Sequence, residues 1–404
     1  MGVDDVLARV EKHYKRPILK RAGDSSSPFL LRRPTGIISL DIAMGGGWPA
    51  GGVSEIAGPP GAGKNALCLQ TLRWCQRIYG DDAAIAWLTL ELTGLDKNHA
   101  HLNDVKVAMS MYELKLENLS RKKQGRRPLT KSEIKRKQHQ IGEFIIGDEG
   151  STAERLQAAV ELVQDNRCQI VVIDSLAALV SKARDETDLD DEPQQSAEAR
   201  LATEFQKKLW SAYCNPENGD INLTTVLAIN QVKANRAKRS PFDSDWVVAG
   251  AYAIKHGKLV DVWVKYGQGI YMTPAGNETA KSDSKNTKIG KQMRWQIAKG
   301  KAGCHEGPSG EVPYYFSWGF NVYYDLIITA RSYGVIKIKG TKDSKTKKIK
   351  DPKFFMYDQD DEVINQGDGG MEELVEMVGN DSSIFDAIYW LTMRRAGVTC
   401  VHKI

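Results

Sequence analysis

The sequence predicts an α/β protein with a mostly parallel central sheet, and three observations carry that prediction. A glycine-rich turn, Gly58-Pro59-Pro60-Gly61-Ala62-Gly63-Lys64, joins a short apolar strand (Val53, Ile56) to a helical pattern running from Ala66 to about Gly80. From Gly36 onward, apolar strand patterns alternate with helical ones, as a parallel sheet with crossover helices requires. Three of those strand patterns run into polar residues: Ala83 to Leu90 ends in Glu91, Gln169 to Ile173 in Asp174, and Thr224 to Ile229 in Asn230-Gln231. Ligands of open α/β sheets sit at such carboxyl ends.

A chain of 404 residues can bury a large core and hold two or three structural units. The net charge of +5 is mild, so overall charge says little, but the basic residues cluster. Six cysteines show neither a C-x-x-C pair nor zinc-like spacing with histidine, which fits reduced, buried thiols. There is no apolar run of membrane-spanning length and no signal-peptide core, so a soluble cytoplasmic protein with no membrane partner is expected.

Residues 1–34 read as a separate small element. Val6, Val10 and Tyr14 share a helical face, Pro17-Ile18-Leu19 can start a strand, and Gly23 to Pro28 reads as a linker. The glycine turn comes next. Its glycines let successive N–H groups curl toward an anion, and the helix that follows adds the positive end of its dipole. With Gly58 to Lys64 at the required spacing, this is a P-loop for nucleotide phosphates, Lys64 reaching the β- and γ-phosphates. A plain Gly-Pro turn between strand and helix is the alternative. The motif asks for Ser or Thr after the lysine as an Mg²⁺ ligand. Asn65 stands there instead, its amide oxygen one bond further out, so bound nucleotide with impaired metal placement and hydrolysis is expected.

Between Val107 and Gln138 an insertion reads as two helices, the first with Met111, Leu114 and Leu119 apolar, the second opened by a Thr130/Glu133 capping box. It is strongly basic, and it is read equally as a solvated helical hairpin or as an electrostatic contact with nucleic acid. Asp174, after an apolar strand downstream of the P-loop, fits the acidic residue that holds the metal's water shell. Glu91 is placed to orient and deprotonate an attacking water, with a helix-capping carboxylate as its alternative. Residues 266–292, polar and rich in Gly, Ser and Lys, are expected to be a long loop. A composition shift near Gly319 suggests a C-terminal unit whose basic run from Lys337 to Lys353 is expected to form a loop that binds duplex DNA.

Taken together, TGIISLDIAMGGGWPAGGVSEIAGPPGAGKN, VVIDSLAALV, LAINQVK and Lys299-Gly300-Lys301 resemble the RecA family of DNA strand-exchange recombinases over most of the chain outside the insertions. RVEKHYKRPILKRAGD is similar to that family's N-terminal oligomerisation helix and strand. The resemblance implies a RecA-like P-loop ATPase core at 35–318, a small N-terminal oligomerisation element at 1–34, and a small α/β C-terminal domain at 319–404. It implies ATP and Mg²⁺ as cofactors, with Gly58 to Lys64, Asn65 and Ala66 around the phosphates and Asn65 and Asp174 toward the metal. It also makes Glu91 the catalytic carboxylate and Gln231 the γ-phosphate sensor. Asp96 and His99 fall at the adenine-edge and adenine-stacking positions, His99 in place of the more usual tyrosine. Lys299 and Lys301 match lysines that reach a neighbouring subunit's ATP.

The same resemblance sets the nucleic-acid contacts. A second DNA-binding loop would span Val232 to Gly250, with Lys233, Arg236, Lys238 and Arg239 beside Phe242 and Trp246. Cations with interleaved aromatics suit single-stranded DNA. The first loop, Ala183 to Ser196, is acidic here, so contacts are expected beyond it, at Arg200 and Lys207. The insertions, and the ending MRRAGVTCVHKI in place of an acidic tail, suggest a divergent, bacteriophage-type member. The implied function is a helical filament on single-stranded DNA that takes in double-stranded DNA and exchanges strands. A DNA-coating filament with impaired hydrolysis and a hexameric RecA-like motor are the alternatives.

Overall fold

The computed structural model describes residues 2–15, 19, 31–91, 94–179, 195–214, 221–234, 246–248, 257–342 and 349–398. The strands, in chain order, are β1 (Arg32–Arg33), β2 (Trp48–Pro49), β3 (Gly52–Gly58), β4 (Ala84–Thr89), β5 (Glu143–Gly147), β6 (Ile170–Asp174), β7 (Thr225–Ala234) and β8 (Trp246–Val248). There follow β9 (Val260–Met272), β10 (Glu278–Thr279), β11 (Thr287–Gly300), β12 (Ser309–Tyr315), β13 (Gly319–Phe320), β14 (Ile336–Lys342), β15 (Ile349–Tyr357) and β16 (Val363–Asp368).

One sheet organises the chain, in the order β13-β12-β11-β9-β3-β7-β6-β4-β5. The strands from β9 to β5 run parallel; β11, β12 and β13 complete the other edge antiparallel. The expected α/β fold with a mostly parallel sheet is what forms. Its central strands are apolar on both sides because both faces are covered. In β6, Ile170 and Val172 join the core of helix Lys64–Tyr79, while Val171 and Ile173 join that of helices Thr152–Asp165 and Gln195–Cys214. A strand's period of two divides it between two cores.

The first of these cores continues without a break into the C-terminal segment. Trp74 packs on Phe385 and Tyr389 of helix Ser382–Arg395, with ring centroids 5.7 and 5.8 Å apart. Helices Val322–Ser332 and Met371–Asn380 share that core. The antiparallel sheet β14-β15-β16 packs beside them through Ile336, Phe354 and Met356.

Four expectations change. Residues 266–292 are not a long loop: β9 and β11 form a ribbon, pairing from Gly300↔Val260 out to Thr287↔Met272. Beyond Val264 most of the ribbon's side chains are exposed or half-buried on both faces, so no apolar alternation marks it. Gln231 is not the end of its strand, for β7 continues to Ala234 and pairs with β8, Val232 opposite Val248. The basic run at 337–353 lies on the paired strands β14 and β15 rather than in a loop, with 343–348 outside the described residues. In the insertion, helices Met111–Lys123 and Lys131–Gln138 form as expected, each opened by a complete capping box, but only Leu114 of the three apolar residues is buried. Met111 and Leu119 face solvent. The N-terminal helix is Val3–Tyr14 with none of its residues buried; the strand expected to start at Pro17 and the linker from Gly23 fall outside the described residues.

Candidate functional site

The parallel register brings the ends of β3, β4 and β6 and the Gln231 position of β7 to one edge. Gly58 of β3 lies opposite Gln231 of β7, and Thr89 of β4 opposite Asp174 of β6. From that edge β3 turns into the glycine loop. A side chain at Gly58 would meet the Val264 carbonyl of β9 at 2.3 Å, so the close approach of the two strands demands glycine. Gly63, at φ +106°, takes the left-handed turn that starts helix Lys64–Tyr79, whose N-terminus therefore faces the loop.

Lys64 is buried under this loop and donates to the carbonyls of Gly58 at 2.9 Å and Pro59 at 3.1 Å. Burial lowers its pKa, while the carboxylates of Asp174 and Glu91 pull it back up. One residue on, Asn65 Nδ2 donates to Asp174 Oδ2 at 2.9 Å. Burial and the charge of Glu91 push Asp174 up to about 6, against the Asn65 hydrogen bond and Lys64. Glu91 completes the group: its Oε1 accepts from Ser175 Oγ at 2.6 Å and from Gln231 Nε2 at 3.4 Å. Lys64, Asn65, Asp174, Glu91 and Gln231, separated by up to 167 residues of sequence, thus meet at one edge.

Three further groups at this edge were not among the expected site residues. Ser175 binds Glu91, although nothing about a serine after a buried strand marks it. Asn230 accepts the Gln231 N–H at 2.8 Å and donates to Glu55 Oε1 at 2.8 Å. Glu55 is buried with Lys258 and Asp261; Lys258 donates to both, at 2.9 Å to Asp261. Burial, helped by the Asp261 charge, raises the pKa of Glu55, and Lys258 opposes it. A glutamate in the middle of the apolar pattern VSEIAG was the one available hint. Lys291 of β11 donates to the Gly61 carbonyl while lying near the rings of Tyr266 and Phe316.

Other expected residues lie apart from this edge. Asp96 caps helix Lys97–Leu102, accepting from the backbone N–H groups of Asn98 and His99 at 2.9 and 3.2 Å. His99 shares a 2.9 Å hydrogen bond with the Tyr314 hydroxyl, and burial lowers its pKa. Neither bonds to the glycine loop. Lys299 sits opposite Asp261 in the β9–β11 register, and Asp261 opposite Glu55, three residues before Gly58. That places Lys299 about 10 Å along the strands from the loop of its own chain. Lys301 follows in the turn after β11, its N–H donating to the Leu259 carbonyl.

Arg200 and Lys207 are exposed on helix Gln195–Cys214, seven residues apart and so on one face. Lys233 and Trp246 lie on the β7–β8 ribbon. Arg236, Lys238, Arg239 and Phe242, with the acidic stretch from Asp185 to Glu192, are outside the described residues. None of the described helices is long and apolar enough to cross a membrane.

The chain is similar to known proteins of one kind. The family model for the RecA N-terminal domain matches residues 2–112. Protein RecA of Streptococcus gordonii is 24% identical over 388 residues, 96% of this chain and 82% of that protein. Protein RecA of Xanthomonas campestris pv. campestris is 31% identical over 252 residues, 62% of this chain and 60% of that protein. Protein RecA of Oceanobacillus iheyensis is 26% identical over 303 residues, covering 74% and 70% respectively. The sheet and the glycine loop agree with this similarity: the chain resembles RecA proteins over most of its length, at low identity.

Proposed function

We propose that the protein is an ATP-dependent homologous recombination protein, which assembles as a helical filament on single-stranded DNA and catalyses pairing and strand exchange. The observation that carries this reading is the meeting of Lys64, Asn65, Asp174, Glu91 and Gln231 at the carboxyl edge of a RecA-like sheet. The donor set fits Mg-ATP. The curled loop and helix N-terminus suit phosphate, while the Asp174 carboxylate and the Asn65 amide oxygen are hard-oxygen groups suited to Mg²⁺. Mg-ATP, when bound, supplies the transferable phosphoryl group and the divalent charge that offsets its oxygens.

The chain's own residues then divide the work. Lys64 exchanges its two carbonyl partners for phosphate oxygens. Glu91 takes the proton of an attacking water, held in orientation by Ser175. Gln231, hydrogen-bonded to Glu91 and continuous with the β7–β8 ribbon, links the phosphate edge to the segment expected to contact DNA. Lys299 and Lys301, distant from the loop of their own chain, serve the nucleotide of a neighbouring copy, so filament assembly completes the site. Duplex DNA is taken by the β14–β15 face, where Lys337 lies over Tyr357 and Lys339 over Phe355.

Negative-stain electron microscopy with Mg-ATP and a long single strand tests the reading. Open helical filaments are expected; monomers or closed rings would overturn it. One observation favours a second reading, a DNA-coating filament that turns over little ATP: Asn65 both replaces the usual hydroxyl and ties up Asp174. A strand-exchange assay with a poorly hydrolysed ATP analogue separates the two, since a mere coat exchanges no strands.

A further inference from the structure

The helical insertion does not lie flat on the protein. Between it and the body is a cleft of about 710 Å³, within the roughly 300–1,000 Å³ of ligand pockets. Helices Met111–Lys123 and Lys131–Gln138 make one wall, helix Lys97–Leu102 and the turn to Lys106 a second, and the segment from Ser317 to Tyr323 a third.

Six cations line the cleft against two carboxylates. Each carboxylate already holds two of the cations: Asp104 takes Arg73 at 3.3 Å together with Lys106, and Glu117 takes Arg121 at 3.1 Å and Lys137 at 3.2 Å. Arg126 and Arg136 are left without an acidic partner among the described residues. The wall at His101 feels the resulting field. Burial first, then Lys137, Lys106 and Arg136, bring that imidazole down to about 4, so it is neutral at pH 7.

The third wall adds an aromatic surface. Trp318 is 43% exposed, and its ring is stacked on Tyr315 with centroids 4.5 Å apart and planes 13° from parallel. A small anion would use the cations and leave the indole idle, and a duplex would keep its base faces hidden. Single-stranded nucleic acid uses both, through phosphate neutralisation and base stacking.

We propose that this cleft is an accessory binding site for single-stranded nucleic acid, in which Arg126 and Arg136 hold phosphates and Trp318 carries a base. The site is separate from the Gly58 edge and does not depend on strand exchange. A protein that only coated DNA could carry it equally well.

The test is fluorescence anisotropy of the full-length protein with labelled dT12 and rU12 over a series of KCl concentrations, with tripolyphosphate as a competitor. For R126A/R136A the slope of log affinity against log salt becomes shallower by about 1.4, near 0.7 for each lost phosphate contact. Trp318→Ala weakens binding about 5- to 150-fold at constant slope, and Trp318→Phe restores most of it. Equal effects on dT12 and rU12 leave the sugar unread, and effects on one alone assign DNA or RNA; either supports the site. An unchanged slope with unchanged binding by Trp318→Ala overturns the proposal and leaves the recombinase reading standing. Loss of the arginine effect to tripolyphosphate, with Trp318→Ala like wild type, reduces the cleft to an anion site and also overturns it. Failure of the wild type to bind either oligonucleotide removes both readings together.

Discussion

Asn65 Nδ2 donates to Asp174 Oδ2 at 2.9 Å, tying the first turn of the helix after the glycine loop to the end of β6. In the usual motif a hydroxyl stands at this position and the acidic residue is left to the metal's water shell. Here the amide both reaches further and binds that acid. Asn65→Thr should therefore raise DNA-stimulated ATP turnover about tenfold, equivalent to about 1.4 kcal/mol of barrier, and steepen its Mg²⁺ dependence. Steady-state hydrolysis across a Mg²⁺ series checks this; identical curves would refute it.

Glu91 and Ser175 make a second pair to probe. Removing the carboxylate in Glu91→Gln should cut turnover at least about 100-fold, as expected for loss of a general base, while ATP still binds. Ser175→Ala removes only the 2.6 Å hydrogen bond that orients Glu91. Its kcat should fall about tenfold with KM for ATP unchanged, within the range for a hydrogen bond to a charged group. A KM effect instead would assign Ser175 to nucleotide binding.

The buried group of Glu55, Lys258 and Asp261 predicts a stability effect. Lys258→Met leaves two buried carboxylates without their cation and should destabilise the fold by about 3–5 kcal/mol. Combining it with Glu55→Gln should recover a large part of that loss, because the amide needs no counter-charge. Denaturant unfolding of the single and double variants measures both, and additive losses would contradict the coupling.

Asp41 gives a pH signature. It is buried and accepts from the N–H groups of Thr35 at 2.7 Å and Gly36 at 3.0 Å, yet burial pushes its pKa up to about 7. The folded state therefore holds the proton more tightly than the unfolded chain. That contribution to stability is full below about 3.8 and is lost as pH rises through about 7. Wild-type Tm should fall between pH 5 and pH 8, and Asp41→Asn should flatten the fall, a difference on the order of a few kcal/mol. Parallel Tm profiles for the two proteins would show that Asp41 titrates as it does in the unfolded chain.

Much of the edge was legible because its requirements are local. The glycine spacing before Lys64 is a backbone demand, and the apolar runs of β4 and β6 follow from burial on both faces. The capping box at Thr130/Glu133 is equally local, and the one at Ser110/Glu113 was revealed by the structure. What sequence reasoning missed depends on partners far away in the chain. Lys258 meets Glu55 across 203 residues, and Tyr389 meets Asp41 across 348. The β9–β11 ribbon was read as a loop because its outer half has no covered face on which to write a pattern.

Lys64 folds back on its own loop, spending its ammonium on the Gly58 and Pro59 carbonyls. At the glycine loop the charge of this lysine is thus already engaged by its own backbone. Any visitor must displace two internal acceptors before it gains the lysine, so a single inorganic phosphate wins little by entering. A ligand offering several linked phosphoryl groups can fill the loop first and recruit the lysine afterwards, and discrimination by chain length of the polyphosphate follows from that order of events.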